Sequence, residues 1–313
     1  MLGRLVDKAI DPIAPISFTK IGYSVRSKLL SWEQALATNY KVAITGPTSG
    51  LGKELALSLD SLGAELVLIA RNESKLNQLL TELSHPERHS TIVCDLLDPE
   101  SIRLACQQLS EISVLDVLVH NAGAIFDNYE LIDGTEQTLL SHVIAPFALT
   151  KSVQESMANS SAARIIYVTS GGLYTQGVEA DNLDWKNNPK DFNGAKAYAK
   201  AKRIQTIIVS EQTDNSDGSL QVAVHPGWVD TPGLQKLLPR FYKLLKPILR
   251  TPEEGIDTLL WLCTVDPNEI QNGSLYHDRS TRSTTYLPGT ATSLEDAQKI
   301  YNVVESRASE LIK

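Results

Sequence analysis

Between Tyr40 and His277 short runs of β-branched and apolar residues alternate with stretches patterned for helices, and that alternation restricts the chain to very few architectures. The runs Lys41–Thr45, Glu65–Ala70, Thr91–Cys94, Leu115–His120, Arg164–Thr169 and Leu220–His225 are nearly unbroken in apolar character, as strands covered on both faces must be. A seventh strand is predicted at Ser274–His277. Helices are predicted near Leu51–Leu62, Ser74–Leu83, Pro99–Leu109, Thr135–Ala158, Ala195–Glu211 and Pro252–Cys263. The last is the best marked, because Thr251-Pro252-Glu253-Glu254 supplies an N-cap, a proline at the first helical position and an acidic residue three on. The expected fold is α/β: a Rossmann-type doubly wound parallel sheet of about seven strands with helices on both faces.

The ends add amphipathic helical extensions, so the chain divides into residues 1–39, a Rossmann domain over 40–280, and a C-terminal extension of that domain over 281–313. Phe18, Ile21, Val25, Leu29, Trp32 and Leu36 recur at steps of three and four, which predicts one apolar helical stripe. Packing onto its own domain is preferred to membrane or partner docking, since Lys20, Arg26 and Lys28 make only a thin basic face. At the other end Thr292-Ser293-Leu294-Glu295 caps a helix with Ala297, Ile300, Val304, Ala308 and Leu311 on one side.

A net charge of −8 over 313 residues argues against a surface that neutralises nucleic-acid phosphates, so no nucleic-acid partner is expected. Cys94, Cys106 and Cys263 lie far apart without a CxxC pair, which predicts neither a disulfide framework nor a metal site and suits a reducing compartment. Charged residues and prolines interrupt Met1 to Lys20, unlike a signal peptide, and no run of about 18 apolar residues predicts a transmembrane segment. The expectation is a cytoplasmic location, with peripheral membrane contact and homo-oligomerisation both left open.

The first strand runs into Thr45-Gly46-Pro47-Thr48-Ser49-Gly50-Leu51-Gly52 and directly on into a helix. Side chains at Gly46, Gly50 or Gly52 would obstruct a tight turn, the approach of a phosphate, or helix–strand packing, so the loop reads as a pyrophosphate cradle on a helix N-terminus. The spacing is neither GxGxxG nor a P-loop, because Gly52-Lys53-Glu54 lacks the required Lys-Ser/Thr. At the end of the second strand Arg71 stands where charge selects the cofactor, and it can pair with the 2′-phosphate of NADP; the alternative is a solvated surface arginine.

With its TGxxxGxG loop the chain resembles the short-chain dehydrogenase/reductase family, and further motifs follow in that family's order. Asn121-Ala122-Gly123 is similar to its NAG motif, Ser170 ends the fifth strand, Tyr198-Ala199-Lys200-Ala201-Lys202 matches YxxxK, and Pro226-Gly227 with Thr231 follows the sixth. Within the family, Val168 to Gly172, His225 to Gly233, Phe18 to Tyr23 and His277-Asp278-Arg279 resemble the orphan group called dehydrogenase/reductase member twelve, which carries no settled substrate. The resemblance implies NADP(H) bound by Thr45, Gly46, Ser49, Gly50, Leu51, Gly52, Arg71, Asp95, Leu96, Asn121, Ala122, Gly123, Tyr198, Lys202, Pro226, Gly227, Val229 and Thr231. Asp95 and Leu96 would frame the adenine, Asn121 would tie the fourth strand, and Thr231 would touch the nicotinamide amide.

Residues four apart on a helix share a face, so Tyr198 and Lys202 can point into one cleft. A neighbouring ammonium favours phenolate and makes proton exchange by Tyr198 accessible, while Ser170 hydrogen-bonds the same substrate oxygen. Many family members carry an asparagine where this chain has His142, in His142-Val143-Ile144-Ala145-Pro146-Phe147. Either the backbone carbonyl there supports a water, exposed by a kink at Pro146, or the imidazole itself joins a proton relay, or the histidine has no catalytic part. His85, His89, His120 and His277 lack partners at ligand spacing. Segment 233–250, with Leu234, Leu237, Leu238, Phe241, Leu245 and Ile248 at helical spacing, either covers an apolar ligand or packs as a core helix. The functional expectation is hydride transfer between NADP(H) and a small-molecule carbonyl or alcohol, probing an apolar substrate first. An NADP(H)-binding sensor or scaffold with little turnover is the alternative, and a lyase or epimerase using the cofactor transiently is a third.

Overall fold

The computed structural model describes residues 2–36, 38–187, 189–212 and 218–313. Three helices open the chain: α1 (Leu2–Ile10), α2 (Ala14–Ser17) and α3 (Lys20–Leu29). The βα alternation follows as β1 (Lys41–Thr45), α4 (Gly50–Ser61), β2 (Glu65–Ala70), α5 (Glu73–Glu82), β3 (Ser90–Val93), α6 (Pro99–Ser110) and β4 (Val117–His120). A small hairpin, β5 (Leu131–Ile132) with β6 (Thr135–Glu136), leads into α7 (Gln137–Leu139), a π-turn at Leu140–Ile144, α8 (Ala145–Ser152) and α9 (Gln154–Ala158). Then come β7 (Arg164–Val168), α10 (Gly194–Glu211), β8 (Leu220–Val224), α11 (Pro232–Leu237), α12 (Pro239–Leu245), α13 (Pro252–Thr264), β9 (Leu275–His277), β10 (Ser280–Arg282) and α14 (Leu294–Leu311).

The main sheet has the order β10-β9-β8-β7-β4-β1-β2-β3 and is parallel except for β10. Its inner strands β1, β2, β4, β7, β8 and β9 are buried on both faces, and two apolar layers result: Leu55, Leu59, Leu76, Ile256 and Leu259 fill one, Ile102, Val143, Phe147, Ile204 and Ile300 the other. All seven predicted strands form, each within two residues of its expected bounds. The eighth, β10, was not expected. It returns through Asp278 and Arg279, whose φ angles of +53° and +52° follow the left-handed pattern of a two-residue hairpin loop, uncommon without glycine.

Two expectations about helices need correction, and of the two readings left open for segment 233–250 one falls away. The continuous helix over Thr135–Ala158 is broken: Pro146 has no N–H to give the carbonyl of His142, the turn at Leu140–Ile144 widens to π geometry, and Gln205 Nε2 donates to that carbonyl instead, at 2.8 Å. The stripe from Phe18 to Leu36 is not one helix, since α3 stops at Leu29 and Ser31 has a φ of +49°. Its buried face carries Gly22 and Arg26, while Ile21, Leu29 and Leu36 are 44, 45 and 60% exposed. A Cβ on Gly22 would lie 2.6 Å from the carbonyl oxygens of Ile16 and Ser17, so the glycine permits the close crossing of α2 and α3. Segment 233–250 is not a core helix; prolines at 239 and 247 divide it, and among its described side chains only Leu249 and Arg250 are buried. The C-terminal helix forms as expected, with Ala297, Ile300, Val304 and Ala308 buried against α8 and α10.

Arg26 turns inward because Asp278 is there. The Asp278 carboxylate is fully buried, with Arg26 Nη1 at 2.7 Å and Arg250 Nη1 and Nη2 at 2.6 and 2.9 Å. Arg26 also meets Asp7 at 2.6 Å, and Arg250 donates to the carbonyls of Ser17 and Phe18 at 2.9 and 3.2 Å. The N-terminal helices are thus bolted to the β9–β10 turn through buried charge. Removing one partner of such a network strands the others in low dielectric, at a cost of about 3–5 kcal/mol. Asp278→Asn is expected to lower unfolding free energy in urea by about 3 kcal/mol or more; a loss under about 1 kcal/mol would show that the network contributes little.

Candidate active site

The topology reverses between β1 and β4, and at this switch point the C-terminal strand ends open a crevice. Thr45 Oγ1 donates to the Val119 carbonyl at 3.3 Å and accepts the amides of Asn121 and Ala122, both at 3.0 Å, tying β1 to β4. Asn121 Nδ2 returns bonds to the carbonyls of Thr45 and Gly46 at 3.0 and 3.1 Å. Gly46 and Gly50 have φ of +68° and +55°, which side-chain-bearing residues rarely adopt. A Cβ on Gly52 would run into the Gly46 carbonyl and the Asn121 amide. Ser49 stands at the N-cap position of α4 without a side-chain bond to the helix, which leaves the first amides uncapped, an arrangement that suits a pyrophosphate. The residues present fit a dinucleotide at this loop.

The other expected binding residues stand at neighbouring strand ends. Arg71 follows β2 and is exposed. Asp95 and Leu96 follow β3, with Asp95 Oδ1 accepting the Leu97 amide at 3.0 Å. Pro226, Gly227, Val229 and Thr231 follow β8. Thr231 caps α11 and lies 3.9 Å from where a Cβ on Gly50 would sit, which brings the sixth-strand motif over the glycine loop. The Val229 side chain is buried and lies beside Gly255.

Ser170 lies two residues past the end of β7, and Tyr198 and Lys202 lie one turn apart on α10, with Lys202 Nζ 5.4 Å from the Tyr198 ring centre. Thr169 Oγ1 donates to the Lys202 carbonyl at 2.9 Å, and Lys202 Nζ to the Val168 carbonyl at 2.8 Å, so strand and helix are locked together around the pair. Burial raises the Tyr198 phenol above its ordinary range, and a hydrogen bond with Ser170 pulls it partly back. Burial also lowers the Lys202 ammonium to about 7. Burial thus works against the ammonium charge expected beside the phenol.

His142 is fully buried, its ring set edge-on to Tyr198 with centres 5.3 Å apart. Its Nε2 lies 2.7 Å from the Ala124 carbonyl and 3.1 Å from the Ala124 amide, one bond or the other according to tautomer. A Cβ on Gly123 would lie 2.7 Å from its Cε1, so the glycine of the NAG motif makes room for this ring. Burial lowers the imidazole to about 3, which works against the relay reading. The carbonyl exposed by Pro146 is already engaged by Gln205, which modifies the backbone reading in turn.

The family model described as short chain dehydrogenase matches residues 40–178. A Streptomyces sp. (strain C5) protein named "Putative daunorubicin C-13 ketoreductase DnrU" is 30% identical over 243 residues, 76% of this chain and 83% of that one. The chain belongs to the short chain dehydrogenase family. The human protein named Dehydrogenase/reductase SDR family member 12 is 28% identical over 271 residues, 85% of each chain. The fold also superposes on a "putative short chain dehydrogenase" from Escherichia coli CFT073 complexed with NADPH, with TM-score 0.63 and 21% identity, covering 80% of this chain and 100% of that one.

In this family member two residues beside the site escaped sequence reasoning, Phe18 and His225. The His225 ring at the end of β8 lies 4.4 Å from Phe18 and 4.9 Å from His277 between ring centres. Both back the turn after Ser170, since a Cβ on Gly171 would be 3.1 Å from His225 Nε2 and 3.4 Å from Phe18 Cε2. Only their shared place in the end motifs signalled them. Burial holds four histidines below their ordinary range: His120 and His142 to about 3, His277 to about 4, and His225 well below it. The unfolded chain then takes up protons the native state refuses, so stability should be level above about pH 7 and fall as pH drops below about 6.5. Each such histidine contributes up to about 1.4 kcal/mol per pH unit in that window. Urea unfolding at pH 7 and pH 5 is expected to show a lower midpoint at pH 5, above the range where carboxylates titrate; equal midpoints would reject the account.

Proposed function

We propose that the chain is an NADP(H)-dependent oxidoreductase interconverting a carbonyl and an alcohol on an apolar substrate. The observation that carries this reading is the convergence of Ser170, Tyr198 and Lys202 at the strand ends beside the Gly46–Gly52 loop. When bound, the nicotinamide cofactor supplies or accepts the hydride. Tyr198 gives a proton to the developing alkoxide in reduction and takes it in oxidation, and the Ser170 hydroxyl hydrogen-bonds the same oxygen. Lys202 is where ribose hydroxyls would be held, and its charge, restored by an anionic ligand nearby, brings the phenol toward ionisation. His142 holds the Ala122-Gly123-Ala124 turn through Ala124 rather than moving protons.

Arg71, exposed at the tip of β2, supports NADP(H) over NAD(H) because a guanidinium pairs with the 2′-phosphate where an acidic residue would repel it. The exposed, leucine-rich segment after Thr231 supports an apolar substrate, as does the ketoreductase name of the Streptomyces relative. A cytoplasmic location belongs to the same reading: the free cysteines Cys94, Cys106 and Cys263 are all buried, as suits a chain built for a reducing compartment.

Two substitutions test the proposal. Tyr198→Phe is expected to retain NADPH binding and to lower turnover of apolar aldehydes and ketones, followed by cofactor absorbance, by on the order of two to four decades. Unchanged turnover would remove Tyr198 from the reaction, and tight NADPH binding with no turnover in the parent would favour a sensor. Arg71→Ala is expected to erode a preference for NADPH over NADH by about 1.5–3 kcal/mol, the scale of a hydrogen bond to a charged group. Equal affinities for the two cofactors in the parent would overturn the role of Arg71.

A further inference from the structure

The segment from Pro232 to Ile248 differs from the rest of the surface. Its two short helices and final tight turn carry no buried side chain among those described, and Leu238 and Leu244 are 42 and 78% exposed. Between Asp230 and Glu253 the chain places Lys236, Arg240, Lys243, Lys246 and Arg250 and no acidic residue, although its net charge is −8. Arg250 is buried on Asp278, whereas Arg240, Lys243 and Lys246 are exposed. Trp228 anchors the segment: its ring centre is 4.9 Å from that of Phe241 on one side and 5.7 Å from that of Phe18 on the other. The N-terminal turn is therefore the neighbouring surface, and just past Phe18 it offers exposed Lys20 and Ile21.

We infer that this face docks on an anionic lipid surface. Leucines projecting among cations, from a protein whose overall charge is negative, fit a layer of acidic headgroups over an apolar interior. The leucines enter the acyl boundary and the cations stay with the headgroups. A second copy of the chain fits less well, because a two-fold contact would set this cationic face against itself. Each basic residue brought close to such a surface strengthens partitioning about fivefold, and a few together with two inserted leucines suffice for reversible attachment. The inference stands apart from the substrate reading, since attachment is measured without turnover.

The experiment is flotation of the full chain with vesicles of phosphatidylcholine alone and of phosphatidylcholine containing phosphatidylserine. The expected result is recovery with the anionic vesicles only, weakened by added salt. Lys243→Glu combined with Leu244→Glu should reduce that recovery about tenfold or more, while the thermal midpoint stays unchanged because both side chains are exposed. Failure of the parent to float with anionic vesicles, or equal recovery of parent and variant, would overturn the inference. So would sedimentation velocity without lipid showing a dimer that the same substitutions dissociate, which would assign the face to a second copy.

Discussion

One buried carboxylate, that of Asp278, holds three distant parts of the chain in register. It sits between two guanidiniums in a medium where an unpaired charge is intolerable, and their proximity keeps it ionised far below the usual carboxylate range despite burial. The turn that presents it needs positive φ at both Asp278 and Arg279, and bonds on each side compensate: Arg26 and Arg250 on the aspartate, Asp257 on Arg279 at 2.7 and 2.9 Å. Arg250 in turn shapes the segment that follows β8. Its amide donates to the Trp228 carbonyl and its own carbonyl accepts the Asp230 amide, both at 2.9 Å. Gly227, with φ +84°, leaves the space that the Arg250 side chain fills. The loop carrying Pro226 to Thr231 thus takes its form from a charge network lying behind it, and the N-terminal helices belong to that network as fully as the sheet does.

The opposite wall of the crevice is built on a different principle, the absence of side chains. Gly46, Gly50 and Gly52 let backbone approach backbone, and the hydrogen bonds of Thr45 and Asn121 make that approach rigid. A site with one wall of uncovered amides and another tied down by buried ions has little freedom to collapse. Under the proposed function that matters, because a ligand carrying phosphates at one end and reacting at the other must be held with its two ends at a fixed separation.

Sequence reading recovers what is local or periodic. Strands such as Lys41–Thr45 and Glu65–Ala70 are continuous apolar runs, and the cap at Thr251–Glu254 forms the full reciprocal pair, Thr251 Oγ1 with the Glu254 amide at 3.2 Å and the Thr251 amide with Glu254 Oε2 at 3.0 Å. The order of Gly46–Gly52, Asn121, Ser170, Tyr198 and Lys202 along the chain also maps directly onto one crevice. What escapes is set by partners remote in sequence. On α3 the apolar spacing of Ile21, Val25 and Leu29 suggests the wrong buried face, because Arg26 is claimed by an aspartate 252 positions away. β10 is too short and too polar to announce itself, and it pairs only because its turn is pinned. Phe18 looks like one member of a stripe, yet it stands outside the helix as the centre of a ring cluster with His225, Trp228, His277 and Tyr174.

His142 shows how a departure from a family pattern can be absorbed by its surroundings. A buried neutral imidazole needs a partner, and Ala124 in the turn after Asn121 provides one, while Gly123 gives the ring its room. A proline four residues on would leave the His142 carbonyl without its helical donor in a dry interior. Gln205, three residues beyond Lys202 on α10, fills that vacancy. The same substitution therefore engages α10 through the backbone and the cofactor-side turn through the ring, and it stands against the Tyr198 ring between them. An asparagine would keep the backbone contact but has neither the reach nor the bulk for the two that the ring makes. The histidine, the glycine, the proline and the glutamine form one mutually dependent unit, and its effect is to hold α10 and the Asn121-Ala122-Gly123 turn at a set distance from each other.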